Sequence, residues 1–141
     1  MFADSPCRPT IAVRDKAQAI AFYSDVLGFT LVDANQPGAT FACGGGTFLE
    51  IYPSELAGTA KNTVAGFQVP DLEAAIRELR SRGVSFEEYE APKTVDGIAQ
   101  LGPNRGAWFK DPDGNTFALV ELASQGGGPP PHRSGGEENP L

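Results

Sequence analysis

An internal repeat constrains the fold of this chain more than any other feature of its sequence. Four residues recur in the same order at a constant offset of about 56 positions. The matching pairs are Val13 with Val69, Asp15 with Asp71, Ala19 with Ala75, and Ile20 with Ile76. A glycine follows each segment, at Gly28 and, after a one-residue slip, at Gly83. The sequence therefore predicts two copies of one supersecondary unit.

Each copy of this unit predicts a strand, a helix and three further strands. In the first copy an alternating segment leads to Asp15, a helix N-cap, and Gln18 follows as in a capping box. Gly28 suits the position after a helix end, where positive φ is needed. Strands are predicted at residues 10–13, 29–32, 40–43 and 47–52, then at 64–69, 85–89, 106–110 and 116–122, with helices at 16–27 and 72–82. The predicted fold class is α+β, with modules at residues 8–52 and 64–122.

Glycine and proline set the limits of the predicted domain. Residues 124–141 are rich in both and contain one large aliphatic side chain, Leu141. We therefore expect a domain at residues 1–123 followed by a flexible tail. Residues 93–105 form a second Gly- and Pro-bearing segment, which is either a lid or rim over a ligand site or a plain surface loop.

Residue counts exclude several classes of function. One histidine, His132, and two cysteines, Cys7 and Cys43, rule out a Cys/His zinc cluster and a disulfide framework. The net charge of −7 argues against a nucleic-acid partner, because phosphate binding needs clustered Lys and Arg. No apolar run approaches the roughly 20 residues of a membrane span, and no secretory signal is visible. We therefore expect no membrane partner and a cytoplasmic protein.

Two segments resemble the signature runs of the vicinal oxygen chelate superfamily. They are FYSDVLGF at residues 22–29 and WFKDPDGN at residues 108–115. This superfamily includes glyoxalase, bleomycin resistance proteins, fosfomycin-modifying enzymes and extradiol dioxygenases. The resemblance implies that the modules form a curved, cup-shaped mixed sheet with helices on its outer face, which binds a small molecule, usually beside a divalent metal. It also implies a homodimer, with each cup formed within one chain or across two.

The same resemblance indicates where metal ligands would stand, near the start of each module's first strand and within its last strand. In this chain those positions hold Arg8, Val64, Glu50 and Ala118. Only Glu50 offers a metal-binding oxygen, since an arginine does not lose its proton to become a ligand. We therefore expect no metal ligands and no cofactor. Arg8 and Glu50 are predicted to form an ion pair in place of the metal, the alternative being that each simply faces solvent.

Period-2 alternation, counted from each of the four positions 8, 50, 64 and 118, assigns most of the predicted ligand site. From Glu50 it sends Phe48 and Tyr52 toward the cup and Leu49 and Ile51 toward the helices. The ligand-binding candidates are Arg8, Thr10, Phe48, Glu50, Tyr52, Val64, Gln68, Trp108, Thr116 and Ala118. Trp108 is included because it could stack on a ligand, although packing in the core or at a subunit interface is its other interpretation.

Three functions stay open at this point. We favour metal-independent binding of a small molecule such as an antibiotic, as in bleomycin resistance proteins, which act by sequestration. The first alternative is a metal-dependent lyase or dioxygenase of the glyoxalase type with a degenerate site, in which Glu50 is the candidate general base. The second alternative is a structural or regulatory domain whose cup binds nothing.

Overall fold

The computed structural model of the chain describes residues 1–123. The expected tail at residues 124–141, including His132, lies outside the described residues. Within residues 1–123, no helix is both long enough and apolar enough to cross a membrane.

The first module has the predicted order of strand, helix and three strands. Its elements are β1 (Thr10–Val13), α1 (Lys16–Ala21), β2 (Thr30–Asp33), β3 (Ala39–Ala42) and β4 (Phe48–Pro53). Helix α1 continues as a π-helical turn at Phe22–Val26. The strands form a sheet in the order β1-β4-β3-β2, in which β1 and β4 are parallel and the other pairs antiparallel.

The second module repeats this arrangement with one extra strand. Its elements are β5 (Thr63–Gln68), α2 (Leu72–Ser81), β6 (Thr94–Val95), β7 (Ile98–Leu101), β8 (Asn104–Lys110) and β9 (Thr116–Glu121). The strands form a sheet in the order β5-β9-β8-β7-β6, and again the first and last strands of the module pair in parallel. The predicted α+β fold of two repeated modules is confirmed.

The helix boundaries follow the residues that the repeat singled out. Asp15 caps α1 by accepting a hydrogen bond from the backbone N–H of Gln18 at 3.0 Å. Asp71 caps α2 in the same way, accepting from the N–H of Ala74 at 3.0 Å. Gly28 and Gly83 have φ values of 78° and 90°, the left-handed conformation in which glycine carries no steric penalty. The duplicated caps and stops are thus confirmed.

Two predictions for the second module were wrong. Residues 85–89 are not a strand: they lie beside β8 but pair with it only through an isolated bridge from Phe86 to Phe109, and the backbone of Tyr89 is hydrogen-bonded to Thr94 instead. Residues 93–105 are not an irregular connection, because they contain β6, β7 and the start of β8. The reversal between β6 and β7 uses Asp96 and Gly97, whose φ values of 54° and 83° are typical of a tight Asp-Gly hairpin.

One aromatic cluster joins the two sheets. The ring of Tyr23, in the π-helical turn after α1, lies 5.5 Å from that of Phe41 on β3 and 6.0 Å from that of Phe117 on β9. Phe117 in turn stacks against Phe67 and Phe109, each at 5.7 Å. Each sheet therefore has a core side, which packs on this cluster, and an opposite side, here called the cup side, which points away from it.

The turn between β8 and β9 ties the modules together. Asp111 is buried and accepts a hydrogen bond from the Tyr23 hydroxyl at 2.8 Å. Asn115 donates to the carbonyl of Ala12 at 2.8 Å and accepts from the N–H of Gly58 at 3.1 Å. Burial, together with the carboxylate of Asp111, raises the pKa of the Tyr23 phenol well above its ordinary value. The turn between β8 and β9 is thus also a buried polar link between the two halves.

Candidate functional site

The cup side of the first sheet is centred on Glu50. Strand β4 lies between β1 and β3, and Glu50 is paired with Thr10 on one side and Thr40 on the other. Its sequence neighbours Leu49 and Ile51 are buried in the core. The predicted alternation along β4 is therefore confirmed, and it directs the Glu50 side chain away from the core.

Arg8 and Glu50 form the predicted ion pair. The Arg8 Nη1 group donates a hydrogen bond to Glu50 Oε2, and the Thr40 hydroxyl donates to Glu50 Oε1 at 2.9 Å. The guanidinium carbon of Arg8 lies 4.7 Å from the centre of the Phe48 ring, in cation–π geometry. Both carboxylate oxygens are therefore engaged, and the guanidinium is held between a carboxylate and an aromatic face.

A cavity of about 510 Å³ opens beside this pair. Its walls include Arg8, Thr10, Glu50 and Tyr52, four of the predicted ligand-binding residues, and Phe48 lies against Arg8. Residues 36–38, in the turn between β2 and β3, form its rim. The volume is within the range of natural small-molecule sites, and the lining combines aromatic, small and charged groups as such sites do.

The rim is fixed by residues that the sequence interpretation did not assign to the site. The ammonium group of Lys16 donates to the carbonyl oxygens of Ala34 and Gln36, both at 2.7 Å. A Cβ atom on Gly38 would lie 1.9 Å from the carbonyl oxygen of Ile51, so the backbones approach too closely for any other residue type. The Pro-Gly turn signal was visible in the sequence, but its position beside Glu50 depends on the pairing of β3 with β4.

Thr40 is a further residue of the site that the sequence did not predict. It lies on the strand next to β4, directly opposite Glu50, and contributes one of the two hydrogen bonds to that carboxylate. Its cup-side position would follow from alternation only if the antiparallel register of β3 and β4 were already known.

The structure does not bring the second-module candidates into this cavity. Gln68, Trp108, Thr116 and Ala118 lie on β5, β8 and β9, and none of them lines it. Trp108 pairs with Ala118 across β8 and β9, and its ring contacts that of Tyr89 at 5.6 Å. The role of these four residues in ligand binding stays a prediction.

Val64 departs from the predicted alternation. A register shift between Thr63 and Ala65 interrupts the pairing of β5 with β9, and Val64 packs against the core. The alternation counted along β5 assumed an unbroken strand, so it does not hold at Val64, and a role of Val64 in ligand binding stays a prediction.

The residues at the positions implied for metal ligands do not fit a divalent metal. Val64 and Ala118 have no donor atom, and Arg8 carries a permanent positive charge that repels a cation. Glu50 alone offers oxygen atoms, and both already accept hydrogen bonds. A magnesium, zinc or nickel ion needs three or more protein or water donors in a defined geometry, which this set does not provide.

Other titratable groups have structural explanations. Asp71, Glu73 and Glu121 bring carboxylates together near the start of α2, but Arg105 lies among them and donates to Glu73 and Glu121 at 2.7 Å. Hydrogen bonds from Arg105 lower the pKa of Glu73 from 4.5 to about 2. Burial raises the pKa of the Cys43 thiol, which disfavours the nucleophilic thiolate.

Comparison with known proteins gives matches over most of the chain. The model of the Glyoxalase/Bleomycin resistance protein/Dioxygenase superfamily matches residues 7–119. No curated protein is similar enough to match. Among solved structures, the antibiotic binding protein TnmS3 from Streptomyces sp. CB03234 is 26% identical, with a TM-score of 0.68, and the match covers 86% of this chain and 98% of that one.

Two further solved structures illustrate the range of these matches. A superfamily member from Sphaerobacter thermophilus DSM 20745 is 28% identical, with a TM-score of 0.64 and coverage of 86% of this chain and 99% of that one. The fosfomycin resistance protein FosX from Listeria monocytogenes is 17% identical, with a TM-score of 0.65 and coverage of 85% and 94%. At that identity the likeness to FosX concerns the fold alone.

Proposed function

Because the chain belongs to the Glyoxalase/Bleomycin resistance protein/Dioxygenase superfamily, we propose that it binds a small molecule without a metal and holds it in the cavity beside Arg8 and Glu50. The observation that carries this proposal is the ion pair itself. It stands where the family resemblance implies a metal, and it engages the single carboxylate that could serve as a ligand.

Antibiotic sequestration is the form of binding that we propose. The support is the likeness to an antibiotic binding protein at 26% identity over 86% of the chain. Sequestration requires only a fitted cavity, so neither a nucleophile nor a general base is needed. Glu50, with one oxygen bonded to Arg8 and the other to Thr40, is better suited to holding a neighbour in place than to accepting a proton.

We further propose that the complete cup needs a second copy of the chain. The two sheets turn their core sides to one aromatic cluster, so their cup sides point away from it. Among residues 1–123, those that line the first-module cavity all lie between positions 8 and 52. The second module of a partner chain would close this open cavity, which gives a homodimer with two equivalent sites.

A ligand screen with metal control tests the proposal. Purified protein, with and without EDTA treatment, is screened by thermal shift against a panel that includes bleomycin, fosfomycin and aromatic antibiotics. At least one compound is expected to raise the Tm equally in both samples, since a ligand at 100 times its Kd stabilises by about 2.7 kcal/mol. Arg8→Gln should reduce this shift, and Arg77→Gln, an exposed arginine on α2, is the matched control.

Recovery of the compound separates binding from catalysis. After prolonged incubation with protein, its mass should be unchanged by mass spectrometry. A changed mass, or binding that appears only after Ni²⁺, Mn²⁺, Zn²⁺ or Fe²⁺ is supplied, would favour the lyase or dioxygenase alternative. The absence of any stabilising compound across the panel would favour the non-binding domain.

A further inference from the structure

We infer that the ligand of this cavity carries an anionic group, such as an aromatic carboxylate, which binds to Arg8, and that Glu50 acts on the ligand only by orienting Arg8. This inference rests on the proposed function and adds the chemical class of the ligand. Arg8 and Glu50 are the two fully charged side chains that line the cavity, so the ligand's charge depends on which of them can accept it.

Arg8 has unused hydrogen-bonding capacity. Its side chain is 44% exposed, and within residues 1–123 its Nε and Nη2 groups make no hydrogen bond, Nη1 being the group bonded to Glu50. A guanidinium presents five N–H donors in a planar fork that matches the two oxygens of a carboxylate. The exposed edge of Arg8 is therefore a donor site for an anion.

The Glu50 carboxylate is much less accessible to a ligand than the Arg8 guanidinium. Its side chain is 25% exposed, Oε2 is bonded to Arg8, and Oε1 is bonded to Thr40. A cationic ligand could reach this carboxylate only by displacing the Arg8 guanidinium, which would then lose both its ion pair and its contact with Phe48. The arrangement thus favours an anionic ligand that binds to Arg8 over a cationic ligand that displaces Arg8 from Glu50.

The surroundings of Arg8 favour a planar ligand. Phe48 lies beneath the guanidinium at 4.7 Å and limits its rotation, so the fork is oriented before a ligand arrives. Tyr52 lines the same cavity and is exposed, which provides an aromatic surface next to the donor edge. An aromatic ring bearing a carboxylate would contact both features at once.

A crossed set of probes and variants tests the inference. The probes are 2-naphthoate, 2-naphthamide and 2-(aminomethyl)naphthalene, which share one ring system and carry a negative, a neutral and a positive group. Their affinities are measured by isothermal titration calorimetry on the full chain. For the wild-type protein we expect 2-naphthoate to bind at least about 10-fold more tightly than either of the others, because a charge-assisted bidentate pair forms only with the acid.

Substitutions of Arg8 should weaken the binding of 2-naphthoate, and substitution of Glu50 should not. Arg8→Gln should weaken its binding at least about 10-fold, and Arg8→Lys, which keeps the charge but lacks the fork, should recover only part of the loss. Glu50→Gln removes the neighbouring negative charge and keeps an acceptor for Arg8, so affinity should stay equal or rise. Arg77→Gln and Glu55→Gln, both at exposed positions away from the cavity lining, are the matched controls and should change nothing.

Tighter binding of the amine, equal binding of acid and amide, or loss of 2-naphthoate binding in Glu50→Gln would each overturn the inference. If none of the three probes binds the wild-type protein up to 1 mM, the inference is also wrong. The proposed function is judged separately, by the antibiotic panel, and a neutral or cationic antibiotic that binds metal-free protein would support it while contradicting the anionic ligand. Melting curves of every variant show whether a loss reflects unfolding.

Discussion

At position 38 a single methyl group decides whether the rim of the cavity can keep its shape. Gly38 does not have a positive φ, so glycine is required at this position for a steric reason. A Cβ added there would lie 1.9 Å from a backbone oxygen of β4. Backbone atoms cannot rotate away as a side chain can. Replacement must therefore move the rim, the strand or both.

We predict that Gly38→Ala lowers the free energy of unfolding by about 1–3 kcal/mol, the usual cost of overpacking. Binding in the cavity should weaken in the same variant, because the rim is part of the wall. Urea unfolding and a binding titration provide the two measurements. Gly44→Ala is the control, since a Cβ on Gly44 meets nothing within 4 Å; equal effects of the two substitutions would contradict the steric explanation.

At the scale of single elements, Arg105 holds the beginning of α2 to the second sheet. It bonds to Glu73 on the helix with two N–H groups, each at 2.7 Å, and to Glu121 on β9. Glu121 also accepts from the N–H of Leu72 at 3.0 Å. The guanidinium of Arg105, which lies on β8, thus connects this strand to α2 and to the neighbouring strand β9.

The hydrogen bonds of Arg105 to Glu73 predict that the stability of the protein depends on pH in the acidic range. Since the folded pKa of Glu73 is lowered from 4.5 to about 2, its ionised form stabilises the folded state above pH 4.5, and this contribution is lost as the pH falls from 4.5 towards 2. Arg105→Gln should lower the Tm at pH 7. The Tm difference between this variant and the wild type should become smaller as the pH falls from 4.5 towards 2. Thermal melts between pH 2 and 7 measure this, with Lys61→Gln, at an exposed position, as control; a Tm difference that stays constant with pH would contradict the prediction.

The elements also differ in how far the sequence could predict them. Helix starts and stops depend on a few neighbouring residues, such as Asp15 with Gln18, and were predicted well. The hairpin of β6 and β7 was missed although its Asp96-Gly97 signal was present, because each strand is too short to show alternation. Residues 85–89 have a strand-like sequence, but their pairing with β8 ends after Phe86 and Glu87, because the backbone of Tyr89 is hydrogen-bonded to Thr94.

At the scale of the whole molecule, the common aromatic cluster separates the two cup sides. If the cup forms between chains, a variant in one module can be complemented by a variant in the other. Arg8→Gln affects the first module and Trp108→Leu the second, and each homodimer would carry two defective sites.

Mixing the two variants under conditions of subunit exchange should restore binding to about a quarter of all sites. Half of randomly mixed dimers are heterodimers, and each of these has one site in which both modules are intact. Titration with a compound found in the antibiotic screen measures the recovered sites, and light scattering checks that each variant remains dimeric. Cups formed within single chains would show no recovery after mixing, and a monomeric wild-type protein would exclude the shared cup.

The sequence by itself determined the duplicated α+β unit, the helix caps and the direction of Glu50. The caps and the direction of Glu50 depend on residues within a few positions of each other, because a cap spans one helical turn and alternation has a period of two. The duplication is visible because its matches share one constant offset along the chain. The ion pair could be predicted because the resemblance placed Arg8 and Glu50 at related positions.

Only the tertiary structure decided how these parts are combined. Thr40, Lys16 and Gly38 join the site through strand pairing and loop contacts between segments that are distant in sequence. The bulge beside Val64 and the separation of the second-module candidates from the cavity likewise follow from sheet register and the shared core. Local patterns do not encode register, because a strand can alternate correctly and still pair with its neighbour at several offsets.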